Sequence, residues 1–209
     1  MYIKYCGFTR QQDVEAACTC PINAIGFVMY PKSERYAEMS TVQKLAAYVP
    51  EYIDRVAVVV NMPLSRVSHL LYHTAVNTLQ LHGDESVAYI QSLRLKHPGV
   101  KIIKALRADD YIVRQIRQYI DYVDVLLIDT PSQHYGGAGT PFDWNLLADI
   151  SMEKMIIAGG LNDETLPKLM CYLPKVWGVD IASGIEDKEK GQKSYKKMLQ
   201  MSQYLRGDL

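Results

Sequence analysis

The chain has 209 residues, 48% hydrophobic and 22% charged, with Lys+Arg and Asp+Glu balanced at 23 each. That length suits one domain with a sizeable core, and the charge balance gives no net field to draw it to nucleic acid or an anionic membrane. No run nears the roughly 20 apolar residues of a membrane span, and Lys4, Arg10 and Asp13 interrupt any secretory leader.

The run Tyr2–Cys6 predicts a first strand, closed by Gly7, and Ala24–Met29 predicts a second. Arg55–Val60 follows as a third strand; its unbroken Val56-Ala57-Val58-Val59-Val60 suits burial on both faces, as in a parallel sheet covered by helices. Leu64, Val67, Leu70 and Leu71 keep helical spacing before the strand Thr78–Leu81. Val87, Ile90 and Leu93 repeat that pattern before Lys101–Leu106. Val123–Asp129 is the sixth strand, and Gly136-Gly137-Ala138-Gly139 beyond it has the composition of a mobile lid. Met155–Ala158 and Val176–Ile181 complete the strands. Between them Asn162 or Asp163 caps a helical stretch, and Ser194–Leu205 forms the last helix with Met198, Met201 and Leu205 inward.

Eight strands alternating with helices predict an α/β fold, a single-domain (β/α)8 TIM barrel over residues 1–209. The competing architecture is an open doubly wound sheet. The lack of a Gly-x-Gly-x-x-Gly opening favours closure.

Active sites of such barrels lie at the C-terminal strand ends. Those positions hold Cys6, the stretch from Met29 to Arg35, Asn61, His82, Arg107, Asp129, Gly159-Gly160 and Ser183-Gly184. The first and sixth strands lie well apart around a ring of eight, which would set Cys6 and Asp129 on two sides of one mouth. A thiolate is a competent general base, and a carboxyl a competent acid. Free cysteine is also among the most buried residue types, and Asp before Thr is a common loop anchor. Alternation places Lys4 on the same face as Cys6, where its charge would favour ionisation if the two share the site. The glycine pairs after strands seven and eight are where barrels hold phosphate with backbone amides. His69 and His73 have metal-like spacing but no intervening glutamate, so a packed or exposed helix face is the better reading. No three-ligand metal set is evident. Cys18, Cys20 and Cys171 read as structural, with no CxxC pair, which suits reduced thiols in a cytoplasm.

The strings that carry these positions resemble the phosphoribosylanthranilate isomerase family. Lys4-Tyr5-Cys6-Gly7-Phe8-Thr9 is similar to the family's opening motif, and Gly26-Phe27-Val28 with Ser33-Glu34-Arg35 to its second. Leu79-Gln80-Leu81-His82-Gly83, Leu127-Ile128-Asp129-Thr130 and Gly136 through Trp144 follow in order. Ala158-Gly159-Gly160-Leu161 and Val179-Asp180-Ile181-Ala182-Ser183-Gly184-Ile185-Glu186 complete the set.

The resemblance implies a cofactor-free, metal-free isomerase of tryptophan biosynthesis. In it Asp129 is the general acid, Cys6 the general base, and Arg35 the holder of the anthranilate carboxylate. Gly160, Ser183 and Gly184 would hold the phosphate, with Lys4, Gln80, His82, Gly159 and Asp180 as further substrate-binding residues. The implied partner is a phosphorylated small molecule, with no nucleic acid or membrane, and the chain is expected to be a monomer or weak homodimer. Glu34, Ala182 and Ser194 depart from the family's usual Pro, Ser and Asp. Two other readings stay open: a related sugar-phosphate isomerase such as that of histidine biosynthesis, which has a two-Asp arrangement, and a retired barrel that only binds a phosphometabolite or partner.

Overall fold

The computed structural model describes residues 1–130, 151–169 and 176–207. Its strands are β1 (Tyr2–Cys6), β2 (Ala24–Val28), β3 (Asp54–Val59), β4 (Thr78–Leu81), β5 (Lys101–Arg107), β6 (Val125–Asp129), β7 (Met155–Ala158) and β8 (Gly178–Ile181). All neighbours pair in parallel, and β8 pairs back onto β1, so the sheet is a closed barrel. The open-sheet alternative is thereby set aside.

The helices are α1 (Gln11–Cys18), α2 (Met39–Ala46), α3 (Leu64–His73), α4 (Val87–Lys96), α5 (Ile112–Tyr119), α6 (Leu166–Leu169) and α7 (Tyr195–Arg206). A short 3-10 turn spans Ser183–Ile185. Asn162 supplies the cap before α6: its side-chain oxygen accepts the amides of Glu164 and Thr165 at 2.9 and 2.8 Å. Helix α7 starts one residue later than the apolar pattern suggests, with Ser194 at its N-cap, and ends at Gly207, whose φ of 81° is the left-handed conformation that glycine tolerates. It packs against α1, and the Tyr5 hydroxyl donates to the Met198 carbonyl at 2.6 Å, tying it to β1.

Strand alternation sorts the core into two layers. Ile3, Tyr5, Ile25, Phe27, Leu79, Leu81, Val179 and Ile181 belong to the cluster between barrel and helices. Tyr2, Ala24, Val56, Ile103, Val125, Leu127 and Ile156 fill the barrel itself. That parity puts Lys4, Cys6, Gln80, Asp129 and Asp180 on the inner face. Interior polar side chains at the upper ends of strands are costly unless partnered, so their partners define the site. The Gly136–Gly139 segment, the matching stretch through Trp144, and Cys171 lie outside the described residues. Cys18 and Cys20 are free thiols, the first half-buried and the second buried. His69 and His73 lie exposed on α3, their rings 4.2 Å apart.

Candidate active site

A cavity of about 470 Å³ opens at the C-terminal end of the barrel. Cys6 of β1 and Asp129 of β6 both line it, with Arg35, Gln80, His82, Gly159, Gly160, Asp180 and Ser183. A second cavity of about 740 Å³ adjoins it over β4 to β6 and shares Val60, His82 and Asp129.

Cys6 sits on a buried charged base. Lys4 is fully buried, and its ammonium donates to both carboxylate oxygens of Asp180 at 2.9 Å. Lys4 and Asp180 are register partners across β1 and β8, so the pairing follows from strand order. Gly26 on β2 makes the room: a methyl group there would lie 2.7 Å from the Cys6 Sγ and 3.0 Å from the Lys4 Nζ. Burial pushes the Cys6 thiol up; the Lys4 ammonium pulls it down, and Asp180 adds to the rise. Burial by itself would lower the Lys4 ammonium, but Asp180 and Cys6 hold it above its ordinary value. A buried ion pair adds little net stability over well-packed apolar residues, whereas removing one partner costs about 3–5 kcal/mol.

Asp129 faces this group from across the mouth. His82 Nε2 lies 3.4 Å from an Asp129 carboxylate oxygen, while His82 Nδ1 lies 3.0 Å from the Gln80 side-chain nitrogen. With that nitrogen donating, Nδ1 accepts, and Nε2 carries the hydrogen toward Asp129. The other end of the Gln80 amide, Oε1, is buried without a hydrogen-bond partner among the described residues, and the side chain lines the cavity. A ligand hydroxyl there would satisfy it.

Arg35 reaches the cavity from the loop after β2, but its fork is already held. Nε and Nη2 donate to Glu186 at 2.7 and 2.6 Å. Glu186 also accepts from Lys193 at 2.8 Å and from the Gly191 amide at 3.0 Å. Burial works against its charge, yet the Arg35 and Lys193 hydrogen bonds hold its carboxyl at about 2. The hydrogen bond to Glu186 raises Arg35, and burial lowers Lys193 against the pull of Glu186. Glu34, where the family motif usually has Pro, pairs with Lys190 and adds a second tie between the same two loops.

The glycine loops meet as the barrel geometry requires. Gly159 and Gly160 have φ of 95° and 62°, and a methyl group on Gly159 would fall 1.8 Å from the Thr130 carbonyl oxygen. The Thr130 hydroxyl in turn donates to the carbonyls of Ala158 and Gly159 at 2.8 and 3.2 Å. The amides of Gly160 and Ser183 donate to no protein group among the described residues, which leaves them for an anion.

Two of the expected site residues lie behind the cavity wall. Lys4 is fully buried and backs Cys6. Gly184 does not line the cavity either; a methyl group there would sit 2.0 Å from the Leu161 carbonyl oxygen, so it lets the two loops approach each other. Glu186, Lys193 and the contact between His82 and Asp129 went unnoticed in the sequence. Glu186 ends a matched motif, which was the available signal; Lys193 had none.

Residues 3–204 match the family model for N-(5'phosphoribosyl)anthranilate (PRA) isomerase. The chain is 44% identical over 208 residues to the N-(5'-phosphoribosyl)anthranilate isomerase of Staphylococcus aureus strain MRSA252, covering all of this chain and 98% of that one. The solved phosphoribosyl anthranilate isomerase of Thermotoga maritima superposes with a TM-score of 0.85 at 26% identity, covering 99% of both chains. A phosphoribosyl anthranilate isomerase solved in complex with reduced 1-(o-carboxyphenylamino)-1-deoxyribulose 5-phosphate superposes at 0.82 with 25% identity, again covering 99% of both.

Proposed function

The chain belongs to the N-(5'-phosphoribosyl)anthranilate isomerase family, and from that premise we propose that Asp129 is its general acid and Cys6 its general base. The reaction is the isomerisation of N-(5'-phosphoribosyl)anthranilate to 1-(2-carboxyphenylamino)-1-deoxyribulose 5-phosphate, an Amadori rearrangement in tryptophan biosynthesis. The observation that carries the residue roles is the single cavity, lined by Asp129 from β6, Cys6 from β1 and the glycine loop after β7.

Asp129 protonates the furanose ring oxygen, and the ring opens to a protonated Schiff base. That new cation beside Sγ favours the thiolate, which burial otherwise disfavours. Cys6 then takes the C2 proton, and the resulting enolamine tautomerises to the ketone. Both steps are proton transfers and call on no cofactor. The Gly160 and Ser183 amides hold the phosphate. Arg35 keeps Nη1 for the anthranilate carboxylate while Glu186 fixes its plane. Gln80, His82 and Asp180 face the sugar hydroxyls.

Cys6→Ala and Asp129→Asn are each expected to lower turnover about 10²–10⁴-fold, as general acid–base groups do, with little change in folding. A coupled fluorescence assay following loss of N-(5'-phosphoribosyl)anthranilate checks this, and near-normal turnover in both variants would sink the assignment. The same proposal takes residues 1–209 as one domain, in the cytoplasm, as a monomer or weak homodimer. Sedimentation velocity across a concentration series tests the last point.

A further inference from the structure

Resting on the reading of Cys6 as the base, we infer that Lys4, anchored by Asp180, is a positioning residue whose buried ammonium holds the negative charge of the Cys6 thiolate. Lys4 has no access to a ligand, so its charge acts only on what it faces inside the barrel. It faces two groups: the Asp180 carboxylate at 2.9 Å and, across the space left by Gly26, the Cys6 sulfur. Asp180 fixes the ammonium from the neighbouring strand and also lines the cavity, so the charge is set in place before any ligand arrives.

The surrounding charges agree with this role. Lys4 and Asp180 come from β1 and β8, Lys193 and Glu186 from the segment after β8, and Arg35 from the loop after β2. Asp129 and His82 stand across the cavity. Lys193 and Arg35 both donate hydrogen bonds to Glu186, whereas among the described residues the Lys4 ammonium pairs with Asp180 alone besides the sulfur. Deprotonating Cys6 therefore places the new charge beside a cation already desolvated and already aimed at it, and such preorganised charge costs no rearrangement during reaction.

The test reads Cys6 directly. Alkylation by iodoacetamide, quantified on the Cys6 peptide by mass spectrometry across pH, reports the thiolate without substrate. In Lys4→Met the midpoint of alkylation is expected to rise by about 1–3 pH units, and the rising limb of the kcat/KM profile moves with it. Turnover at neutral pH falls about tenfold per unit, with KM nearly unchanged. In Asp180→Asn the midpoint moves down, because Cys6 becomes the anion left to balance Lys4. Should either single variant fail to fold, Lys4→Met/Asp180→Asn leaves no unpaired buried charge, and its midpoint is expected to rise. Folded variants with the parent midpoint overturn the inference. Full turnover in Cys6→Ala together with shifted midpoints would instead overturn the role of Cys6 as base and leave the electrostatic coupling standing.

Discussion

Glu186 shows how one carboxylate can organise a wall of the cavity. It accepts from Arg35, Lys193 and the Gly191 amide at 2.6–3.0 Å, and these donors hold its carboxyl at about 2. An unfolded glutamate titrates near 4.3. The folded state therefore gains its full stabilisation from this ionisation above about pH 4.5 and loses it as pH falls toward 2. Glu186→Gln keeps the shape and removes the charge. Its melting temperature should lie below the parent's at pH 7, and the gap should narrow below pH 4.5 and close near pH 2. Thermal melts of both proteins from pH 2 to 7 decide it, and a gap independent of pH would refute the link. The same variant frees the Arg35 fork, so KM is expected to change more than kcat.

At the scale of elements, the junction of β6, β7 and β8 shapes the loop to which the proposal assigns the phosphate. Gly159 allows the Thr130 carbonyl to approach at a φ of 95°, where a side chain is strained whatever the space. Gly159→Ala adds both strain and a backbone clash, each worth about 1–3 kcal/mol. It is expected to melt earlier and to raise KM for the phosphorylated substrate at least several-fold. Urea unfolding and steady-state kinetics check the two effects, and a variant with parent KM would show that this loop does not hold the phosphate.

These loops were legible in the sequence because glycine at a strand end has a backbone reason, and the eight apolar runs fixed their order. The shared face of Lys4 and Cys6 was legible too, because side chains alternate along a strand. The depth of Lys4 below the cavity was not, since alternation gives a face and not a height within the barrel. Nor was the engagement of Arg35 by Glu186: the two lie 151 positions apart, and their meeting depends on where two loops fold over the rim.

The whole molecule divides into two ends with different duties. At the N-terminal end the Tyr2 hydroxyl and Lys101 ammonium both donate to Asp54, at 2.7 and 2.5 Å, and Trp177 stacks on Tyr2 with ring centroids 4.3 Å apart. These residues join β1, β3 and β5 across the floor of the barrel, and none of them lines the cavity. Burial, and then Asp54, push the Tyr2 phenol up, so it stays a hydrogen-bond donor throughout the working range. Residues at this end of such barrels serve stability, while those at the opposite end serve the reaction. Asp54→Ala strands two donors and should cost about 1–3 kcal/mol, which in a chain of this size lowers the melting temperature by roughly 2–4 °C per kcal/mol. Turnover and KM below the melting transition should match the parent within about twofold, because no group that moves a proton or holds the substrate has shifted. A loss of turnover as large as that of Asp129→Asn, in protein that melts cooperatively, would mean that the floor and the mouth are coupled through the strands and that the division between the two ends is wrong.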